Sequence, residues 1–219
     1  MSGDGLAALH RRVEARYRHR SRFTRGFVHW KLRLDPVLRA VLDLARDGSL
    51  GSIVDVGCGR GQLGIALIEA GAADRLTGLD WDEELLADAA AAAGGRGSFV
   101  RADMRTAEVP PGDTVLLIDL LYLMPAEAQL ALLGRAAAAA RRRLVLRVFD
   151  PDRGWRSAVG WLSEAGIRLA RLYRRTETRP LPLDAIRAGL DEAGFACTVE
   201  PCWGAMPLPN VLVVARRRA

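Results

Sequence analysis

The stretch IVDVGCGRGQLG, residues 53–64, leaves the chain few folds to choose from. It opens with β-branched residues and then places glycine at 57, 59 and 61, so a buried strand runs into a turn that has given up its side chains. The apolar residues after it can begin a helix. A strand, a glycine-rich turn and a helix N-terminus together make a nucleotide-type site at the carboxyl end of an open α/β sheet, where backbone N–H groups face a ligand.

The surrounding sequence alternates in the way such a sheet requires. SIVDV, RLTGLD, SFVRAD, TVLLID and RLVLRVF read as strands, rich in Val, Ile and Leu, without the strict alternation of a half-exposed sheet. Between them QLGIALIEAG, DEELLADAAAAAGG and PAEAQLALLGRAAAAA have helical length and composition, the alanine runs being helix formers. PLDAIRAGLDEAGF adds a helix, and CTVEPCW and NVLVVAR close the chain as two strands joined across GAMPLP. The expected fold is α/β: a Rossmann-like, seven-stranded, mostly parallel sheet with helices on both faces and a C-terminal antiparallel hairpin.

Half of the 219 residues are apolar, enough for one sizeable core. In DPVLRAVLDLARDG, Asp35 is placed to cap a helix, Pro36 suits its first position, and Gly48 ends it. That helix opens a domain over residues 35–219. Residues 1–34 hold nine basic residues against two acidic ones and show no clear period, which marks them as a basic, aromatic lid segment, removable without loss of the sheet. A stretch over about 154–175 has Trp155, Ala158, Trp161, Leu162, Ala165, Leu169 and Leu172 at helical spacing and is read as a helical cap.

Three scattered cysteines, Cys58, Cys197 and Cys202, have neither the spacing of a zinc site nor that of a disulfide framework. No cluster of His, Asp or Glu has metal spacing, so no metal is expected. The N-terminal charges rule out a signal-peptide core, and no stretch reaches the ~20 apolar residues of a membrane span. A cytoplasmic protein is expected. The formal charge is +6, but 31 of 32 basic residues are arginine, which fits a compositional bias as well as an anionic partner.

The glycine stretch satisfies two fingerprints at once. Gly59, Gly61 and Gly64 spell GxGxxG, as a dinucleotide site would, whereas Asp55, Gly57, Gly59 and Gly61 spell DxGxGxG. Asp55, at the end of the strand, would repel a pyrophosphate and attract an ammonium or sulfonium group. Nineteen residues beyond Gly61 the second strand ends in Asp80, placed to accept both ribose hydroxyls, and Trp81 is a candidate neighbour of adenine. An adenosine with a cationic tail is implied.

With these residues in view, the chain resembles the class I S-adenosylmethionine-dependent methyltransferases over about residues 35–219. VDVGCGRG is similar to the first motif of that family, GLDWD to its second, RADM to its third and DLLYLMP to its fourth. The resemblance implies S-adenosylmethionine as cofactor and S-adenosylhomocysteine as product. It makes Gly57, Cys58 and Gly59 the floor under the methionine part, Asp80 the ribose acceptor, Asp103 the acceptor for the adenine amino group, Met104 a neighbour of the ring, and Asp119 a neighbour of the methionine moiety. Asp103 also reads as a solvated turn residue. Cys58 is expected to be inert.

The fourth motif lacks the proline pair common in amino-group methyltransferases, which favours O- or C-methylation of a small apolar molecule, free or tethered to an acidic acyl carrier protein. RNA or protein methylation through the basic face is the alternative, and an NAD-dependent oxidoreductase or a non-catalytic binding subunit would be a different class. Tyr122 and His29 are the candidates to orient or deprotonate the acceptor. Phe27, Trp30, Lys31, Arg33 and Trp155 are candidates for the lid and acceptor wall. The segment order further resembles methyltransferases of bacterial aryl-polyene and related polyketide pigment gene sets.

Overall fold

A computed structural model describes residues 3–150, 180–203 and 209–218. Seven strands form one sheet: β1 (Ser52–Val56), β2 (Arg75–Asp80), β3 (Gly97–Arg101), β4 (Gly112–Ile118), β5 (Ala140–Phe149), β6 (Phe195–Pro201) and β7 (Asn210–Arg217). Their order is β3-β2-β1-β4-β5-β7-β6, with β1 to β5 mutually parallel and β7 antiparallel to both β5 and β6. The expected Rossmann-like sheet with its closing hairpin is what the chain builds. Register places Val56 opposite Leu79 and Leu117, so β1, β2 and β4 run out together at one edge, at Gly57, Asp80 and Asp119.

Seven helices accompany the sheet: α1 (Gly3–Arg16), α2 (Arg22–Leu34), α3 (Val37–Leu44), α4 (Gln62–Glu69), α5 (Glu83–Ala93), α6 (Ala126–Ala139) and α7 (Leu183–Glu192), counted among the described residues. Neighbouring strand residues feed opposite faces, as the two-residue period of a strand demands. Ile53, Leu76, Leu116 and Val145 join a cluster with α1 to α4, and Val54, Leu79, Val115, Leu117 and Leu144 join one with α6 and α7. Both faces are therefore apolar, which explains why these strands lack a polar alternation.

The N-terminal segment differs from the sequence expectation. It is helical over α1 and α2, and it contributes to the core: Leu9, Val13, Tyr17, Val28 and Leu32 are all buried. Leu9, Val13 and Tyr17 lie four apart, with His10 buried beside them, as do Thr24, Val28 and Leu32, so each helix seats on a narrow stripe. The arginines around these narrow stripes hide them from a reading by composition. Ser21 caps α2 by accepting the Thr24 N–H at 3.1 Å. Asp35 accepts the Val37 N–H at 3.0 Å as expected, although the helix starts at Val37, after Pro36. Trp155 and the expected cap over 154–175 lie outside the described residues.

Candidate active site

The glycine turn leaves β1 in left-handed backbone. Gly57, Gly59 and Gly61 have φ of 76°, 54° and 72°, a region that side chains with a Cβ occupy only at a cost. The turn is sewn to the end of β2: the N–H groups of Gly57 and Cys58 both donate to the Leu79 carbonyl, at 2.7 and 3.0 Å. Asp80, 7 % exposed, accepts the Gly59 N–H at 2.8 Å on one oxygen and the Asp82 N–H at 3.0 Å on the other. Asp80 is thus a brace for the turn, and Asp82 takes the capping role on α5 by accepting from Glu84 and Leu85. Its four lone-pair directions leave capacity for hydroxyl donors.

The three glycines are needed for different reasons. A Cβ at Gly61 would lie 2.9 Å from the Ala89 Cβ and 3.1 Å from a Phe99 ring carbon, so this glycine admits α5 and β3. A Cβ at Gly57 would press on the Leu120 methyls at 3.0 Å. A Cβ at Gly59 would meet no protein atom within 4 Å. The backbone there faces open space.

Two buried acids, Asp55 and Asp80, belong to the strands that carry this turn. Asp55 is 3 % exposed, and among the described residues no donor reaches its carboxylate. Burial, with a smaller contribution from the charge of Asp80, pushes its carboxyl up to about 7. Cys58 is buried and its thiol is pushed far above the ordinary range, first by burial and then by Asp55 and Asp80, which agrees with an inert residue. Met104 is buried in the second apolar cluster. Asp103 is exposed and gripped by its neighbour Arg105, whose hydrogen bonds hold its carboxyl down to about 2. Trp81 is exposed.

Asp119, at the end of β4, is the one non-glycine residue with positive φ among the described residues, at 57°. Strain of this kind persists only where the surroundings over-determine it. Here they do. Arg147, buried on β5, donates to both carboxylate oxygens of Asp119 and to both of Asp35, with its Nε 2.7 Å from Asp119 Oδ1. Lys31 Nζ lies 2.6 Å from Asp35 and 3.4 Å from Asp119. Burial tends to raise the Asp35 carboxyl, but Arg147 and Lys31 together hold it at about 2. Two acids and two bases from α2, the α2–α3 junction, β4 and β5 therefore make a neutral cluster beside the strand ends.

The sequence reading missed Arg147, although an arginine inside the apolar run RLVLRVF was the available signal. It also missed the tie between the glycine turn and the N-terminal helices. Tyr17 donates its hydroxyl to the Arg60 carbonyl at 2.7 Å, and the Arg60 guanidinium pairs with the buried Asp88. Asp88 also receives Arg20 and the Thr24 hydroxyl.

The remaining candidates divide between two flanks of α2. Lys31 reaches Asp119, whereas Arg33 and His29 meet Glu14 of α1, with His29 Nδ1 3.4 Å from that carboxylate. The structure does not bring His29 and Lys31 together. Phe27 lies under the Arg60 guanidinium at 5.8 Å, and the exposed Trp30 meets His29 edge-on at 4.9 Å. Tyr122 is half-buried on the 3-10 turn Leu121–Leu123, next to Asp119 in the fourth motif.

Comparison with known proteins bears on this arrangement. Residues 53–143 match the family described as a methyltransferase domain. The chain is 29% identical to the magnesium-protoporphyrin O-methyltransferase of Synechocystis over 163 residues, which are 70% of this chain and 67% of that protein. The crystal structure of the Synechocystis magnesium protoporphyrin IX methyltransferase with bound SAH superposes with a TM-score of 0.65 at 22% identity, covering 93% of this chain and 94% of the other. The pyocyanin biosynthetic protein PhzM does so with a TM-score of 0.65 at 26% identity, covering 93% and 60%. The family match begins within β1 and runs through the glycine turn as far as β5. Residues 53–143 thus match a methyltransferase domain, and the chain has the fold of the class I S-adenosylmethionine-dependent methyltransferases.

Proposed function

We propose that the chain transfers a methyl group from S-adenosylmethionine to an oxygen or carbon of a small apolar acceptor. The observation that carries this reading is the open space at Gly59, in a turn that follows a buried carboxylate, Asp55, to which no described residue donates a hydrogen bond. Such a cradle suits a cation and disfavours a pyrophosphate. Gly57, Cys58, Gly59 and Gly61 form its floor, and Asp80 accepts the ribose hydroxyls with the lone pairs left by Gly59 and Asp82. Asp55 supplies negative charge for an ammonium or a sulfonium group, and Asp119, its charge already met by Arg147 and Lys31, borders the methionine moiety. Asp103, Met104 and Trp81 take the adenine side, where Asp103 must share its carboxylate with Arg105.

S-adenosylmethionine, when bound, supplies an electrophilic methyl carbon. The protein's work is then orientation and exclusion of water, which account for much of the rate in a direct displacement. Lys31, Phe27 and Tyr122 are assigned to the acceptor side, where the Tyr122 hydroxyl would hold an acceptor hydroxyl in line. The O-methyltransferase name of the Synechocystis relative supports oxygen as the acceptor atom.

The test is transfer of radiolabelled methyl from S-adenosylmethionine to a panel of apolar phenols and carboxylic acids, free or carrier-bound, alongside tRNA. Label in an extractable small product is expected, with Tyr122→Phe lowering kcat and leaving the KM for cofactor unchanged. Label confined to RNA would overturn the acceptor class.

A further inference from the structure

Helix α2 presents two apolar stripes, and among the described residues only one of them is packed into the core. Thr24, Val28 and Leu32 seat it on the core. About a third of a turn away, Phe23, Phe27, Trp30 and Leu34 follow one another at helical spacing and are 73, 42, 59 and 60 % exposed. These are four of the seven exposed large apolar side chains among the described residues, so this is where exposed apolar surface concentrates. The stripe runs about 16 Å along the helix at 1.5 Å per residue. Its base is fixed by the Arg60 guanidinium, 5.7 and 5.8 Å from the Phe23 and Phe27 rings.

The charge around the stripe is of one sign. Residues 22–34 contain Arg22, Arg25, Lys31 and Arg33 and no Asp or Glu. Lys31 and Arg33 are spent on Asp35, Asp119 and Glu14, but Arg22 and Arg25 make no ion pair in the described structure and are exposed. A rigidly seated helix with an outward face of Phe, Trp and Leu beside unpaired arginines has the composition of a helix that lies in the plane of a lipid interface. We propose that α2 is a docking face for an anionic bilayer, with the stripe in the headgroup boundary and Arg22 and Arg25 on lipid phosphates. A convex helix face that is about 16 Å long and exposed along the stripe favours a planar fluid surface over a protein groove. The inference does not depend on the methyl-transfer reading, because its test measures lipid binding alone.

The experiment is cosedimentation of the full chain with vesicles of phosphatidylcholine alone or mixed with phosphatidylglycerol, over a range of salt. The protein is expected to pellet with the anionic vesicles and not with the neutral ones, and less of it as salt rises. The Arg22→Glu/Arg25→Glu variant should lose roughly fivefold in affinity per arginine, since each basic residue near such a surface is worth about 1 kcal/mol. Phe23→Ser/Trp30→Ser should lose more than about tenfold. Circular dichroism confirms that each variant keeps its helices, and the arginine pair, being exposed, tests the proposal even where the apolar variant does not fold. Parent protein that stays in the supernatant with anionic vesicles would overturn the proposal. So would variants that pellet like the parent, a vesicle-free dimer that the variants lose, or stripe-dependent binding to an acidic carrier protein in place of lipid.

Discussion

Removing residues 1–34 should abolish folding. Leu9, Val13, Tyr17 and Val28 have no exposed surface and Leu32 has 4 %, and each fully buried side chain of this size is worth roughly 1.5–3 kcal/mol of transfer free energy. Together they supply on the order of 10 kcal/mol, an upper figure that is comparable with the whole stability of a domain at about 5–15 kcal/mol. Truncation would also expose the facing side of α4 and leave Arg60 without the Tyr17 hydroxyl. A graded version is Leu9→Ala, with a cost of about 2–5 kcal/mol and hence a melting temperature lower by roughly 5–15 °C. Arg11→Ala, at an exposed position on the same helix, should change stability by less than about 0.5 kcal/mol. Thermal unfolding followed by circular dichroism measures all three. A chain starting at residue 35 that melts cooperatively at the parental temperature would refute the argument and restore the lid as a detachable part.

Asp55 links pH to stability and to ligand affinity. Its carboxyl titrates near 7 when folded and near 4 when unfolded, so the stability it contributes is complete below about pH 4 and lost as pH rises through about 7. Asp55→Asn should flatten that part of a melting profile taken across pH, and an unchanged profile would remove Asp55 as its source. The ammonium group of S-adenosylhomocysteine prefers an ionised Asp55, so binding should tighten as pH rises towards 7, and less steeply in the asparagine variant. Gly59→Ala and Gly61→Ala should separate binding from folding. Both carry the cost of a left-handed backbone, but the first otherwise fills open space and adds a loss of ligand-induced thermal stabilisation, while the second also drives a methyl into Ala89 and lowers the melting temperature further. Arg147→Met strands two carboxylates with Lys31 alone and should cost about 3–5 kcal/mol in urea denaturation; an unmoved midpoint would show that the cluster contributes nothing net.

The sheet was legible because its strands are buried on both faces, so apolar runs and the helix-length segments between them could be read directly. SIVDV and RLTGLD match β1 and β2 residue for residue. The glycine turn was legible for a related reason: Gly57, Gly59 and Gly61 answer to backbone geometry, which is local. Helices α1 and α2 were not, because narrow stripes spaced by four are outweighed in a window average by the nine basic residues of this segment. The partners of Asp119 were also hidden. Lys31, Asp35 and Arg147 lie 88, 84 and 28 residues from it in the sequence, and only the parallel pairing of β4 with β5 brings Arg147 to its side. Asp103 is seen as the exposed turn residue, bound by Arg105, that one of its two readings gave it, and its role towards adenine stays a proposal.

The most direct test of the account is isothermal calorimetry of the full chain with S-adenosylhomocysteine and, separately, with NAD. The acid-lined turn predicts a single site for S-adenosylhomocysteine and no heat with NAD. Asp80→Ala should weaken the first by about tenfold to a hundredfold, the worth of one charge-assisted hydrogen bond to ribose at roughly 1.5–3 kcal/mol. Binding of NAD without S-adenosylhomocysteine, or an Asp80→Ala variant with parental affinity, would contradict it.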